Sequence, residues 1–204
     1  MKALSVAALA STFLFALTTF THAAIVNVSA GYSETQVGGI TSTVVDGLWS
    51  RSDYWWHHGD YPRIIALDRL ITEADPNFLE PYSNGGWLMD SLGDTKDAER
   101  YYRLGAERNP DKSYLWFSLG FFYYNSMKDY PDAIMTFKRA ADAPDGGPKS
   151  LKMLAHSYER NNQLGEAVNI WQSLHTKYPG DAVILLNLNK DQNLLRTANP
   201  TVSQ

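Results

Sequence analysis

Four prolines punctuate this chain at nearly equal intervals. Pro76, Pro110, Pro144 and Pro179 are separated by 34, 34 and 35 residues. Each ends an apolar pattern of helical period, and a proline just past a helix is a stop signal. Between two prolines the pattern divides in half. In 113–144 the first half, 113–127, is strongly apolar, and Lys128-Asp129-Tyr130 then reads as a turn. Ala133, Phe137 and Ala140 follow at i, i+4 and i+7, one face of a second helix. Each period therefore predicts one antiparallel helical hairpin. A lone hairpin cannot bury both of its faces, so such hairpins must stack on one another.

The register can be read residue by residue. The second period carries Tyr82, Gly86, Met89, Gly93, Ala98, Tyr102, Gly105 and Pro110. The third carries Trp116, Leu119, Gly120, Tyr123, Tyr130, Ala133, Phe137 and Ala140, with one extra residue in its turn. The fourth carries Leu151, Leu154, Ala155, Tyr158, Leu164, Ala167, Trp171 and Pro179. Small residues recur where helices approach closely, and aromatic rings recur where the gaps must be filled. This pattern resembles the tetratricopeptide-repeat (TPR) family over roughly residues 45–180. The first period departs most. Arg51-Ser52 stands where Leu-Gly is usual, Ile64 replaces an alanine, and Asp68 replaces the aromatic residue at position 24. The resemblance implies an all-α fold, a right-handed superhelix of about four stacked hairpins plus a C-terminal capping helix. The repeats fall near 45–78, 79–112, 113–146 and 147–180, and the cap over 181–197.

The ends read differently. Lys2, an apolar run and the small residues Thr21 and Ala23 form a signal-peptide pattern over 1–23. The run falls short of the roughly 20 apolar residues that a membrane span needs. Export to a periplasm or to the exterior is expected, with no stable membrane span after cleavage. Residues 24–44 are rich in Val, Ser, Thr and Gly without helical period, and are expected as a flexible or strand-like lead-in. Residues 198–204 have little to bury and are expected as a loose tail.

The net charge is −4 with no block of basic residues, so nucleic acid is not an expected partner. There is no cysteine, which removes disulfides and thiolate metal sites. Glycine-rich phosphate loops and nucleophile elbows are absent from the sequence. The stretch Trp55-Trp56-His57-His58-Gly59-Asp60 has residue types that catalysis uses. In register it is a helix end, a glycine stop and a restart capped by Asp60, with Pro62 in the next first turn. Trp55 is expected to pack between hairpins. Adjacent histidines on a helix diverge by roughly 100°, so they rarely share a metal. No catalytic residue, cofactor or metal site is expected.

In TPR proteins the first helices of successive hairpins line a concave groove. Transferring that register puts Trp49, Asp53 and Trp56 in it from the first repeat, and Trp87 and Asp90 from the second. The third repeat adds Tyr114, Phe117, Phe121 and Tyr124, and the fourth adds Lys152 and His156. The resemblance implies a non-enzymatic scaffold that binds a protein or peptide segment in an aromatic groove, acidic at one end and basic at the other. The alternatives are a carbohydrate-binding module using Trp49, Trp56 and Trp87, or a metal-dependent enzyme using His57 and Asp53.

Overall fold

A computed structural model describes residues 34–198, so the signal segment, the first part of the lead-in and the tail from 199 lie outside the described residues. Nine α-helices and no strand occur among them. They are α1 (Glu34–His58), α2 (Tyr61–Ala74), α3 (Glu80–Ser91), α4 (Thr95–Arg108), α5 (Ser113–Phe122), α6 (Tyr130–Asp142), α7 (Pro148–Arg160), α8 (Leu164–Lys177) and α9 (Ala182–Ala198). Pro76, Pro110, Pro144 and Pro179 each stand two residues beyond a helix, after α2, α4, α6 and α8. The lead-in differs from expectation. Residues 34–44 are helical and run on into the rest of α1. Their composition gives little helical signal, but propensity is a weak prior that the surrounding chain overrides. The chain divides into compact units at Gly47/Leu48. The stacked hairpins belong to the second unit, described by itself from here on.

Three hairpins form from α3/α4, α5/α6 and α7/α8, and α9 lies on α8 as the cap; before them the last turns of α1 reverse into α2, with Ser52 reaching Asp68, as hairpin 1. Each hairpin turns on one left-handed residue, in order Gly59, Gly93, Lys128 and Asn162. That conformation reverses the chain while its neighbours' N–H groups close the open carbonyls of the helix end. Three turns share one hydrogen bond across five residues: Asp60 N to Trp55 O, Asp94 N to Met89 O and Gln163 N to Tyr158 O. In the third, Asp129 N reaches back six residues to Tyr123 O, at 3.0 Å. The extra residue of that repeat is absorbed by a π-helical turn over Tyr123–Met127.

The core follows the small-and-large alternation of the sequence. Tyr102, Phe137 and Trp171 sit on the second helices against Gly86, Gly120 and Ala155 on the first. A Cβ at Gly86 would come within 2.7 Å of the Tyr102 ring, and one at Gly85 within 2.6 Å of Tyr101. The Gly85-Gly86 pair is thus a packing groove inside α3 for two tyrosines of α4. Burying each such ring stabilises the stack by about 1.5–3 kcal/mol. Polar groups at the corners are satisfied between repeats. The buried Asn109 donates to Pro76 O at 2.9 Å and to Gly105 O at 3.2 Å, and Trp116 Nε1 donates to Pro110 O at 3.0 Å.

Candidate functional site

The first helices carry an unusual share of uncovered aromatic surface. Trp56, Trp87, Tyr114 and Phe121 are 43–52% exposed, although each lies on a helix whose other face is core. Trp56 and Trp87 bring hairpins 1 and 2 together, their rings 6.0 Å apart and tilted by 36°. Phe117 and Phe121 stack within α5 at 6.4 Å, and Lys149 Nζ lies 4.2 Å from the Phe117 ring centre. Tyr124 meets Tyr130 edge-on at 5.7 Å. Asp90 accepts from Ser126 at 2.6 Å, tying α3 to the π-helical turn.

The remaining sequence-derived residues are placed less freely. Trp49 is half-buried and packs on Phe78 at 5.0 Å and 58°, so Trp49, Trp56 and Trp87 do not form one flat platform. Lys152 pairs with Asp181 at 2.7 Å. His156 bonds Glu159 at 3.1 Å and meets the Trp171 ring edge-on. The basic end of the series is therefore engaged inside the protein. Glu159 also accepts from Trp171 Nε1 at 3.1 Å and from Lys190 at 2.7 Å. Burial works against its charge, but these bonds prevail and hold its carboxyl at about 2.

The Trp55–Asp60 stretch forms the expected turn. Gly59 has φ +70, and Asp60 accepts from Arg63 N at 3.3 Å. His57 Nε2 stands 3.9 Å from Asp53 with both side chains open to solvent. His58 Nδ1 donates to Tyr54 O at 2.7 Å, so the two rings serve different partners. Trp55 differs from expectation. Its ring partners are Arg51, Tyr54, His58 and Arg63, all of hairpin 1, with the Arg63 guanidinium 4.2 Å from the ring. Cation–π contact inside one hairpin replaces packing between two.

Between the first helices of hairpins 1 and 2 lies a cleft of about 500 Å³, lined by Trp49, Ser50, Ser52, Asp53, Trp56 and Asn84. Asp68 lies directly beneath it and is fully buried. Asn84 Nδ2 donates to Asp68 Oδ2 at 2.7 Å, and Ser52 Oγ makes a longer contact to Oδ1 at 3.5 Å. Burial pushes the Asp68 carboxyl up to about 7 against the pull of these two bonds. Among the described residues no cation pairs with it.

Neither the protein-family models nor the curated proteins include a match to this sequence. Solved structures do match. The structure of MamA aligns with TM-score 0.58 at 17% identity, over 76% of this chain and 82% of its own. YrrB, described as a TPR protein with an unusual peptide-binding site, aligns with TM-score 0.55 at 14% identity, over 72% and 76%. PilF of Pseudomonas aeruginosa aligns with TM-score 0.59 at 14% identity, over 77% and 71%. The fold is the TPR solenoid.

Within the TPR register the floor under the cleft departs from the other repeats. Positions 8 and 24 of the four repeats are occupied by Ser52/Asp68, Gly86/Tyr102, Gly120/Phe137 and Ala155/Trp171. Three pairs put a ring against a small residue. The first puts a buried carboxylate against a hydroxyl. The sequence shows both departures singly. What joins them is their 16-residue separation, the same as for Gly86 and Tyr102. Asn84 is the cleft residue that the groove register passes over, because it is a half-buried α3 residue between groove positions.

Proposed function

We propose that this TPR scaffold is exported and binds an extended protein or peptide segment along the first-helix face, with Trp56, Trp87, Tyr114 and Phe121 as its main contacts. The observation that carries this reading is their exposure. Four large rings stand in solvent on the inner-helix series, whereas the rings of the second helices at position 24 are covered. Aromatic side chains gather large contact area with few rotors to immobilise. The peptide-binding site ascribed to YrrB, a protein of the same fold, is a precedent that supports the reading. Export rests on the sequence pattern of residues 1–23.

Peptides selected from a random display library against the full chain test this. Trp87→Ala with Phe121→Ala should weaken the selected peptides by about tenfold or more, while Met135→Ala, on the outer helix α6, should leave them unchanged. Equal binding by the double variant would remove the groove assignment.

A further inference from the structure

The cleft over Ser52 has a chemistry that the rest of the face lacks. Asn84 gives one amide N–H to Asp68 below and keeps its carbonyl oxygen and its second N–H. Ser52 directs its hydroxyl proton toward Asp68 and keeps its lone pairs for the cleft. Asp53 adds a solvent-facing carboxylate at the rim. The walls include two indoles, Trp49 and Trp56, whose faces carry the negative end of the ring quadrupole. Among the described lining residues none is cationic. Aromatic faces, the Asp53 carboxylate and a buried carboxylate without a counter-ion favour a ligand group that brings positive charge.

We propose that this cleft takes a cationic side chain, the ammonium of a lysine or the guanidinium of an arginine, as the anchor of the bound peptide segment. The cation would rest against the Trp49 and Trp56 indoles and above the Ser52–Asn84 floor, with Asp68 supplying charge from behind. The proposal rests on the peptide-binding reading and gives it a subsite. A neutral sugar would also meet indoles and acceptors, but it would leave the Asp68 charge unanswered.

The test is an NMR titration of the tryptophan indole N–H signals of the full chain at pH 8, where the Asp68 carboxyl is ionised. The probes are Nα-acetyl-lysine methylamide, Nα-acetyl-arginine methylamide, the neutral norleucine analogue and cellobiose. One cationic probe, or both, should shift the Trp49 and Trp56 signals saturably, with the norleucine analogue at least about tenfold weaker. Asp68→Asn should weaken the cationic probes by about tenfold, and the rim variant Asp53→Asn by a smaller factor. The exposed Asp53 keeps the test readable should the Asp68 variant fail to fold. Equal shifts by norleucine, no shift by either cation, shifts by cellobiose alone, or indifference of a folded Asp68→Asn would each overturn the proposal. Selected peptides that bind through Trp87 and Phe121 without any lysine or arginine would overturn this subsite while leaving the groove standing.

Discussion

Gly120 lies so close to the ring of Phe137 that a Cβ added there would come within 2.9 Å of Cδ1. Phe137 is fully buried and has no room to retreat. Gly120→Ala gains about 1 kcal/mol of helix propensity, but overpacking a buried ring costs about 1–3 kcal/mol. The variant should therefore lose stability. Gly165→Ala, at an open position near the start of α8, should gain about 0.5 kcal/mol. Thermal melts of the two proteins check the opposite signs.

Restoring the ring to the first hairpin should strengthen the array. In Ser52→Gly with Asp68→Phe, the buried carboxylate goes and a ring takes its place against a glycine, as in the second and third repeats. Burying a phenylalanine contributes about 1.5–3 kcal/mol, and removing an unpaired buried acid adds to it. A raised melting temperature is expected. A melting temperature equal to or below that of the parent would show that Asp68 holds the hairpin together.

Much of this architecture is legible in the sequence because the repeats restate it. The proline spacing reports the helix ends, and Gly86, Gly120 and Ala155 report the close approaches. The extra residue of the third repeat is visible, but its resolution as a π-helical turn is not, since period alone does not say where an added residue goes. Helix at 34–44 is hidden because Gly38, Gly39 and the local Thr/Val run carry no stripe of their own. The groove register points to Trp56, Trp87, Tyr114 and Phe121, which stand exposed on first helices. It places Lys152 and His156 among them because register gives direction and says nothing of the partners, Asp181 and Glu159, that arrive from elsewhere in the fold. Asp68 is legible as an oddity; that it sits under a cleft depends on Asn84 of the next hairpin.

Stability should depend on pH through Asp68. Its carboxyl lies at about 7 in the folded protein against an ordinary 3.8, because burial penalises the charge more than Asn84 and Ser52 favour it. The folded state then holds a proton that the unfolded chain releases. Stability falls as pH rises from about 4 to about 7, at up to about 1.4 kcal/mol per unit, and is level above that. Asp53 on α1 and Tyr101 on α4 are the neighbouring titratable groups, and Arg69 beside it on α2 is turned to Asp97 at 3.6 Å. Urea unfolding of the parent and of Asp68→Asn over this range isolates the contribution. The variant should show the flatter profile, and parallel profiles would place the titration elsewhere.

Glu159 has the opposite sign and a different role. Its carboxyl gathers His156 of its own helix α7, Trp171 of α8 and Lys190 of α9, so one side chain joins the last hairpin to its cap. Held at about 2 against an ordinary 4.5, it contributes stability that is complete above about pH 4.5 and is lost as pH falls toward 2. The buried Asp191 beside it is shifted upward, first by burial and then by the neighbouring Glu159. Glu159→Gln preserves the shape but withdraws the charge from Lys190 and His156. Hydrogen bonds to a charged group contribute about 1.5–3 kcal/mol, so the variant should lose a substantial part of that near neutral pH. The loss should be local first, because an end helix has only one neighbour to hold it. Hydrogen exchange should accelerate in α9 before α4 or α6 responds. A uniform acceleration along the chain would instead make Glu159 part of one cooperative core, and unchanged exchange in α9 would mean that Ile184 and Leu188 hold the cap without it.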